Sequence, residues 1–570
     1  HYDSLGRVTR AVCDGKSYEY IYDAHGNLKE KRSNGKRLVS YTHDRAGQIT
    51  EIRDPAGVCT RYEYDILGRR SRIFNDDGLE VRYGYDALNR IRHIRYGNGV
   101  ETAYTYDGDG NIRTLETKAG ENVLLSFAYR YDGNGNRTAK AGTQAALGGI
   151  TSEITTGNNA LDLSYAYDVR GQLLEERRNG ASVCYAYDKA GNRIRKTDAQ
   201  GEIRYLYNEK NQLVEEESPA DRKQFSYDRQ GGIIEEKNAA GIRLFSYNSR
   251  RQQTRVETET GSVQENRYDA EGLRFELLEN GRRTSFVYHD GELLQEEGRE
   301  EQGTSYHLGA GMEAFRRGQE LSYYHRDEQL STALVTDGHG DVLNSYQYDA
   351  FGIPLDTTEQ LNNRIRYTGQ QYDDVTGQYY LRARYYNPVA GRFMQEDVYQ
   401  GDGLNLYAYC GNNPVVYDDP SGYASTSIGK ACPPKGKISE SVDESGTPST
   451  TDRIRNVAQQ SFDYAVNNPR KQGLNRMQLG KDAEIQATRW TRKWAERNGI
   501  DLSESGLHFQ VRGEHSIPDV VYEPTKNIMD FKLTPKAVRK KQSDNFKSDF
   551  PGYSIEYIFG PGPWREQDEH

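Results

Sequence analysis

A tyrosine–aspartate motif that recurs about every 20 residues is the feature that most restricts the fold of this chain. The pattern Tyr-x-Tyr-Asp-x-x-Gly, or a close variant, places its early copies 21 residues apart, at Asp23, Asp44, Asp65, Asp86 and Asp107. Later copies are 20 residues apart, at Asp168, Asp188, Asn208, Asp228 and Asn248. A constant period of this length is typical of a repeat array, in which each unit is one small supersecondary element.

Each unit has the composition of a β-hairpin. Tyrosines two residues apart share one face of a strand, and alternation with period 2 is typical of a half-buried strand. Aspartate can accept hydrogen bonds from the backbone ahead of it, and glycine adopts a positive φ, so Asp and Gly three residues apart predict a turn. Two short strands with their turns fill about 20 residues. The array therefore predicts a long antiparallel ribbon, in which the repeated aspartates build turns and carry no catalysis.

The period fails at two places along the array. The first lies between Asp132 and Asp168, and the second extends from about residue 290 to 345. We interpret both stretches as insertions into the ribbon.

Composition excludes several classes of protein. Hydrophobic residues make up 35% and the mean hydropathy is -0.93, but 44 tyrosines argue for packed sheets rather than disorder. The five cysteines form no Cys-x-x-Cys pair, so we expect neither a structural zinc site nor a disulfide framework. No apolar run of about 18 residues predicts a membrane-spanning helix.

The repeats give way to a segment of different character, residues 364–423. Its second part holds five ordered motifs: YYLRARYY at 379–386, GRF at 391–393, NLY at 405–407, NNPV at 412–415 and DPSG at 419–422. Together they resemble the closing segment of the Rhs/YD-repeat toxins. The resemblance implies a mainly β fold, in which residues 1–363 form an antiparallel ribbon that spirals into a hollow cage and residues 364–423 plug it.

The same resemblance implies that the chain cuts itself by aspartyl-type catalysis. In that family two aspartates cut the chain just after an Asp-Pro-x-Gly-Leu motif. They correspond here to Asp397, which follows Gly-Arg-Phe, and to Asp419, the aspartate of the motif itself. Two carboxylates held close can share one proton, so that one acts as a base on water and the other as an acid on the peptide carbonyl. We expect Arg392 to support the pair and the cut to fall between Tyr423 and Ala424.

The chain departs from the family pattern at the cut itself. Tyr423 stands where the family usually has leucine, which leaves the choice of bond open. Asp418 directly precedes Asp419 and is a second candidate for the working carboxylate. An alternative interpretation without catalysis is that Asp419 only caps a turn ahead of Gly422.

After the cut the composition changes again. Residues 424–451 are rich in Ser, Gly, Pro and Lys and are predicted to be a linker. Residues 452–570 contain no repeats and predict a small α/β domain with two helices before the first strand and one before the last. Its strands are expected at 507–511, 517–522, 527–533 and 554–559.

The pattern of this last domain resembles the PD-(D/E)xK nuclease superfamily, which has a restriction-endonuclease-like fold. The similar residues are Pro-Asp519 and Asp530-x-Lys532 on neighbouring strands, with Glu484 on an earlier helix. The resemblance implies a Mg²⁺ site at Glu484, Asp519 and Asp530, with Lys532 as a catalytic residue. Carboxylate oxygens are the ligands that Mg²⁺ prefers, and a bound metal generates the attacking hydroxide.

A basic helix after these strands is expected to bind nucleic acid, with DNA favoured. The expected contacts are Gln542, Lys536, Arg539, Lys540 and Lys541. An ordinary solvated helix face would carry the same charges. A second alternative is a metal-free ribonuclease that uses acid–base catalysis by His508 or His515 with Arg512 and Glu514.

The sequence as a whole is interpreted as a polymorphic toxin, a cage that stores and cuts free a C-terminal nuclease used in interbacterial competition. It is then expected to be a secreted or delivered effector that acts in the cytoplasm of the target cell. The expected partners are a cognate immunity protein and an upstream delivery module, because the chain starts in mid-repeat at His1. Two alternatives remain: the same cage with a non-nuclease toxin, and a structural or adhesive YD-repeat protein without a toxin.

Overall fold

The structure is a computed structural model that describes residues 1–145, 160–298, 302–398 and 405–427 and four short strands nearer the C-terminus. The chain divides into two compact units, His1–Gly436 and Lys437–His570. The border falls inside the segment 424–451 that was predicted to be a linker. The three further domain boundaries drawn from the sequence stay predictions.

The first unit is built almost wholly of strands. Within the described residues 33 of them form one sheet. In chain order they are β1 Arg10–Cys13, β2 Lys16–Tyr22, β3 Leu28–Ser33, β4 Lys36–His43, β5 Ile49–Arg53, β6 Cys59–Tyr64, β7 Arg70–Phe74, β8 Glu80–Tyr85, β9 Ile91–Tyr96, β10 Val100–Tyr106, β11 Ile112–Ala119, β12 Asn122–Tyr131, β13 Arg137–Gln144, β14 Ala160–Tyr167, β15 Leu173–Arg178, β16 Ala181–Tyr187, β17 Arg193–Asp198, β18 Gly201–Tyr207, β19 Leu213–Glu217, β20 Arg222–Tyr227, β21 Ile233–Asn238, β22 Gly241–Tyr247, β23 Gln253–Glu257, β24 Val263–Tyr268, β25 Arg274–Glu279, β26 Arg282–His289, β27 Glu292–Glu297, β28 Thr304–Leu308, β29 Met312–Arg317, β30 Glu320–Arg326, β31 Thr332–Thr336, β32 Val342–Tyr348 and β33 Pro354–Glu359.

The sheet is a meander, because each strand pairs antiparallel with the next one in the chain. Strand β2, for example, pairs with β1 and β3, and β10 pairs with β9 and β11. In most units the register shifts just before the second tyrosine of the motif, as between Ile21 and Tyr22 and between Thr105 and Tyr106. Such bulges increase the local twist of a ribbon. The prediction of an antiparallel ribbon of hairpins is confirmed.

Each motif aspartate builds the turn that follows it. In the first complete unit Oδ1 of Asp23 accepts hydrogen bonds from the backbone N–H groups of His25 and Asn27, both at 2.9 Å. Gly26 completes the turn at φ +90°. These are the contacts that the sequence predicted for Asp and Gly at this spacing.

The second tyrosine of the motif connects neighbouring units. The hydroxyl of Tyr187 donates to the carbonyl of Leu173 at 2.8 Å, and that of Tyr207 donates to the carbonyl of Arg193 at 2.9 Å. Similar bonds repeat along most of the ribbon. The period therefore reflects a hydrogen bond from each hairpin to the preceding one as well as the turn.

The ribbon is coiled, so that residues about 250 positions apart in the chain come into contact. Tyr18 bonds Asp269 at 2.8 Å over a sequence separation of 251 residues, and Thr60 bonds His307 at 2.8 Å over 247. The largest apolar cluster draws buried side chains from both ends of the array and from the closing segment, and Val39, Leu334 and Tyr379 belong to it. The coil agrees with the predicted spiral, whereas a hollow interior stays a prediction.

The prediction of an insertion from about 290 to 345 is wrong. Strands β27 to β32 cover this stretch and continue the same meander. Asp327 and Asp337 still make the repeat turn, since Oδ1 of each accepts N–H bonds from residues two and four ahead. The second tyrosine of the motif is replaced there by Arg326 and Thr336, which hid the period. The core of the other predicted insertion, 146–159, lies outside the described residues.

The closing segment has its own small sheet. It consists of β34 Gln371–Asp373, β35 Gln378–Leu381, β36 Arg384–Asn387 and β37 Arg392–Phe393, and a second pair is β38 Tyr417–Asp418 with β39 Thr426–Ser427. Short 3₁₀ turns lie at Tyr367–Gly369 and Cys410–Asn412.

The closing segment lies across the turns of successive hairpins. Its contacts with them are Asn413 to Asn136, Asn412 to Gly191, Asn405 to Asn192 and Tyr407 to Gly231, at distances between 2.7 and 3.0 Å. A buried ion pair adds an anchor, because Asp373 of the segment lies 2.8 Å from Arg364 and also contacts Arg274 of β25. The segment therefore spans one edge of the coil.

The second unit is described only by four strands. These are β40 Leu507–Phe509, β41 Val520–Tyr522, β42 Asn527–Lys532 and β43 Ser554–Phe559. The first three are antiparallel and β43 lies parallel to β42. Each lies within a stretch predicted to be a strand, while the predicted helices lie outside the described residues and the α/β fold stays a prediction.

Candidate self-cleavage site

Asp397 and Asp419 lie against one guanidinium group. Nη2 of Arg384 is 2.8 Å from Oδ2 of Asp397 and 3.3 Å from Oδ2 of Asp419. The side chains of all three are buried, with exposed fractions of 6% or less. Because both carboxylates contact the same nitrogen atom, the two aspartates are spatial neighbours, and the arginine offsets one of their two negative charges.

The guanidinium group is held from several directions. Nη1 of Arg384 donates to the carbonyl of Leu406 at 3.1 Å, Nε donates to the carbonyl of Gly422, and the group lies 3.5 Å from the centre of the Phe393 ring. The backbone N–H of Asp397 donates to the same Leu406 carbonyl at 3.1 Å. These bonds connect the carboxylates to the backbone one residue before the expected cut.

Asp419 contacts the expected scissile bond directly. Its Oδ1 accepts hydrogen bonds from the backbone nitrogens of Tyr423 and Ala424, each at 3.1 Å, and from the hydroxyl of Ser421 at 3.3 Å. The nitrogen of Ala424 is the leaving atom if the chain is cut after Tyr423. The carboxylate is therefore within proton-transfer distance of that nitrogen.

Only glycine fits at position 422. Its φ is +71°, and a Cβ there would lie 2.4 Å from the carbonyl oxygen of Leu381 and 2.9 Å from the nitrogen of Arg384. Both are backbone atoms, so relieving the overlap would require a shift of the main chain. The close approach of the loop to β36 therefore depends on Gly422.

Arg382 ties this loop to the repeats. Its guanidinium donates to the carbonyl of Pro420, to the carbonyl of Gly291 at 2.7 Å and to Oε1 of Glu292 at 2.7 Å. Gly291 and Glu292 belong to the hairpin formed by β26 and β27. The loop is consequently held by the coil as well as by its own segment.

A cavity of about 420 Å³ adjoins the site, and Asp397, Ser421 and Tyr423 are among its lining residues. A space of this size beside a carboxylate can hold water molecules. The side chain of Tyr423 is 44% exposed, so it does not fill an enclosed pocket.

Asp418, the second candidate, has a different partner. Its Oδ1 accepts a hydrogen bond from the hydroxyl of Thr426 at 2.6 Å. Burial raises the pKa of Asp418 to about 6, the bond from Thr426 opposes that rise, and the neighbouring charge of Asp419 adds to it.

Arg392 does not make the ion pair that was expected of it. Its Nη2 donates to the carbonyl of Asn211 at 2.6 Å, and its guanidinium lies over the rings of Tyr207 and Tyr407. Strand β37 directs it to the repeat turns, and Arg384 contacts the carboxylates instead. Arg384 was present in the quoted motif YYLRARYY, but a contact across 35 residues has no local signal in the sequence.

Comparison with known proteins identifies the family of the coil. The Teneurin YD-shell family profile matches residues 31–134 and 143–415, which is more than half of the chain. The chain belongs to the Teneurin YD-shell family. The match includes Arg384 and Asp397 but ends before Asp419.

Other relatives of this YD-shell chain carry nuclease or toxin names. It is 40% identical over 177 residues to the tRNA3(Ser)-specific nuclease WapA of Bacillus spizizenii. The aligned stretch covers 28% of this chain and 7% of that protein. It is 35% identical over 111 residues to toxin subunit YenC1 of Yersinia entomophaga, covering 18% of this chain and 11% of that protein. It is 31% identical over 169 residues to double-stranded DNA deaminase toxin A of Burkholderia cenocepacia, covering 28% and 12%. The chain thus spans only a small part of the length of these relatives.

A solved structure shares the fold of the YD shell. The crystal structure of TcdB2-TccC3-Cdc42 superposes on 73% of this chain and 24% of that chain with a TM-score of 0.60 at 18% identity. At this identity the likeness concerns the fold alone.

The residues expected to form the nuclease site belong to the second unit, Lys437–His570. Glu484, Asp519, Gln542 and the basic residues Lys536, Arg539, Lys540 and Lys541 lie outside the described residues. Asp530 and Lys532 lie on β42 two positions apart and pair with Tyr557 and Phe559 of β43. In the part of the chain that the structure describes, no group of three or more His, Cys, Asp or Glu side chains is placed to hold a metal ion. Nor does any helix there have the length and apolar character needed to cross a membrane.

Proposed function

We propose that this chain is part of a YD-shell toxin, whose coil stores a C-terminal effector and which cuts itself between Tyr423 and Ala424 with Asp397 and Asp419. The toxin and nuclease names of its relatives support the general class. The observation that carries the cleavage is the contact of Asp419 Oδ1 with the nitrogen of Ala424 at 3.1 Å, beside a second carboxylate on the same arginine.

The residues suggest a division of roles in the reaction. With one proton shared between the carboxylates, the pair and Arg384 together carry no net charge, which favours the shared state in a buried site. Asp397 faces the cavity and acts as the base that removes a proton from water, and the water oxygen bonds to the carbonyl carbon of Tyr423. The C–N bond then breaks, and Asp419 delivers its proton to the nitrogen of Ala424.

Substitution of either carboxylate tests the cleavage. Asp397→Asn and Asp419→Asn should each leave one band of 570 residues, whereas wild type should give fragments of 423 and 147 residues (570 minus 423). Asp23→Asn, in a repeat turn, is the matched control and should cut like wild type. Mass spectrometry of the new N-terminus checks the bond. Normal cutting by Asp419→Asn would refute the assignment.

The exposed side chain of Tyr423 makes a further test of the same mechanism. Because the backbone around the bond is held by Asp419 and Gly422, the identity of the side chain at 423 should matter little. Tyr423→Leu and Tyr423→Ala should both release a fragment that begins at Ala424. A cut displaced to another bond would show that a side-chain pocket selects the site.

We also propose that residues 452–570 are a metal-dependent nuclease. Asp519 directly precedes Val520, and Val520 pairs with Met529, the neighbour of Asp530. This register supports a shared role for the two carboxylates with Glu484, a donor set of oxygens that suits Mg²⁺. When bound, the metal would supply an activated water and offset phosphate charge. Lys532, two residues after Asp530, would orient the phosphate, and the basic stripe would bind the nucleic acid backbone.

Toxicity of the full chain tests the nuclease separately from the cut. Asp530→Ala and Lys532→Ala should abolish growth inhibition while both fragments still form, because the cut uses other residues. DNA and RNA recovered from the cells should show which one is degraded, with DNA the favoured substrate. Persistent toxicity of both variants, or its loss in His508→Ala or His515→Ala alone, would replace the metal nuclease with the metal-free ribonuclease. The WapA relatives, which are named tRNA nucleases, support RNA as the second candidate substrate.

The proposed biology follows from a toxic effector. A producing cell needs an immunity protein against the tail, and the effector needs a delivery module to reach the cytoplasm of a target cell. Co-expression of a neighbouring open reading frame that suppresses toxicity of the wild-type chain would identify the immunity protein. Absence of toxicity in every host compartment would favour a structural or adhesive role.

A further inference from the structure

The residues on the two sides of the expected cut are paired with each other. Tyr417 and Asp418 form β38, and they lie antiparallel to Ser427 and Thr426 of β39. Asp418 is directly opposite Thr426. The residues between them, 419–425, form a closed loop that contains the bond between Tyr423 and Ala424.

A side-chain bond closes the base of this loop. The hydroxyl of Thr426 donates to Oδ1 of Asp418 at 2.6 Å. Asp418 is only 6% exposed, so its carboxylate depends on donors within the protein. A hydrogen bond to a carboxylate is stronger than one between neutral groups.

The closed loop has a direct effect on the reacting atoms. With residue 426 held on Asp418, the nitrogen of Ala424 is two residues from a fixed point, and it lies on Oδ1 of Asp419. Without that attachment, Ala424 would begin a long chain whose other orientations compete with the reactive one. Holding a reactant in place in this way lowers the entropic part of a barrier.

We propose that Thr426 is a positioning residue for the self-cleavage, and that with Asp418 it closes the loop that places the scissile nitrogen on Asp419. The inference rests on the proposed cut after Tyr423. It assigns part of the cutting apparatus to the released fragment, since Thr426 lies three residues beyond Tyr423. The tail therefore contributes to its own separation.

The rate of cutting in freshly made full-length chain tests this role. Cell-free translation is stopped, and the fraction cut is followed with time for Thr426→Val, Thr426→Ser and Ser427→Ala. Valine keeps the shape and the strand preference of threonine but loses the hydroxyl, so cutting should slow by about tenfold or more. Serine keeps the hydroxyl and should restore the wild-type rate. Ser427→Ala, the neighbouring change on the same strand, should have no effect.

A second comparison separates positioning from a general loss of structure. In an uncut Asp397→Asn background, Thr426→Val should lower the urea midpoint of unfolding only modestly and leave the chain folded under the conditions of the cutting assay, because a single hydrogen bond to Asp418 is lost. Asp418→Ala should slow cutting too, and the double variant Asp418→Ala/Thr426→Val should be no slower than the slower single variant.

The outcomes distinguish the two proposals. If wild type is never cut, the cleavage itself is refuted and the role of Thr426 with it. If wild type is cut and Thr426→Val is cut at the same rate, only the role of Thr426 is refuted. Additive slowing in the double variant would likewise refute a shared action of Thr426 and Asp418.

Discussion

Asp23 of a repeat turn and Asp419 of the closing segment use one carboxylate oxygen alike and the other differently. Oδ1 of Asp23 accepts N–H bonds from residues two and four ahead, and Oδ1 of Asp419 accepts them from residues four and five ahead. Oδ2 of Asp23 meets the side-chain amide of Asn27, whereas Oδ2 of Asp419 meets Arg384. A turn-forming aspartate thus becomes a candidate catalyst when its second oxygen is buried beside an arginine and a second carboxylate.

The largest expected effect comes from removal of that arginine. Arg384→Gln should abolish cutting and lower the free energy of unfolding by about 3–5 kcal/mol, because it leaves two buried carboxylates without their cation. Arg170→Gln is the matched change at a repeat turn, where the arginine is 46% exposed beside Asp168. It should cost less than about 1 kcal/mol and leave cutting intact. Gel analysis and urea denaturation measure both effects, and a cut Arg384→Gln chain would remove the distinction between the two settings.

The next test compares two turn glycines. Gly422→Ala introduces a Cβ 2.4 Å from a backbone oxygen, so we expect the loop to be displaced and cutting to slow by at least about a hundredfold. Gly110→Ala has a similar positive φ, +87°, but the nearest atom is a flexible side-chain nitrogen of Arg90 at 3.8 Å. It should cost only about 1 kcal/mol of stability and leave cutting unchanged. Equal cutting rates in the two variants would show that the tight approach at Gly422 is dispensable.

A smaller effect is the pH dependence of stability that arises from the buried carboxyl group of Asp418, which can be compared with that of an aspartate in a repeat turn. Burial raises the pKa of Asp418 to about 6 from a usual value of 3.8, so the folded state holds this proton more tightly than the unfolded state. The resulting stability is complete below about pH 3.8 and is lost as pH rises through 6, a loss of up to about 3 kcal/mol. In the uncut Asp397→Asn background, Asp418→Asn should remove this part of the fall in the free energy of unfolding between pH 4 and 7.

The repeat turn should show the opposite sign. Slight burial acts to raise the pKa of Asp23, but hydrogen bonds from Asn27 and His25 outweigh it and the pKa lies below its usual value. Its contribution to stability is therefore present above the usual pKa and is lost in acid. A pH profile of Asp418→Asn identical to that of its parent would contradict the assigned environment of Asp418.

The smallest effect tests the bonds between hairpins. Tyr187→Phe removes the hydroxyl that reaches the Leu173 carbonyl and should lower the free energy of unfolding by about 1 kcal/mol without altering cutting. Tyr2→Phe, at a ring that is 71% exposed, should change neither quantity. A loss of cutting in Tyr187→Phe would mean that the site depends on single hydrogen bonds far from it.

The sequence predicted local features well because they have local causes. The turn at Asp23 and the positions of β42 and β43 depend on neighbouring residues or on hydropathy with a short period. Arg384 and Thr426 were not identified, since their roles arise from contacts with residues 8 to 35 positions away. Arg392 was expected to support the carboxylates, but its strand turns it to the repeats. The contact between turns of the coil, which joins residues about 250 positions apart, cannot be predicted from the sequence of a single repeat.

The bond from Tyr18 to Asp269 has a consequence for the order of events during synthesis. Hairpins need only adjacent residues and can form as the chain emerges, whereas contacts over 251 residues must wait until both ends exist. Arg382, which holds the loop at Pro420, itself relies on Gly291 and Glu292 of a late hairpin. The loop therefore reaches the arrangement proposed for the cut only after the surrounding coil is assembled. Appearance of the 147-residue fragment would then mark the completion of folding. A chain stalled on the ribosome before the coil is complete should remain uncut.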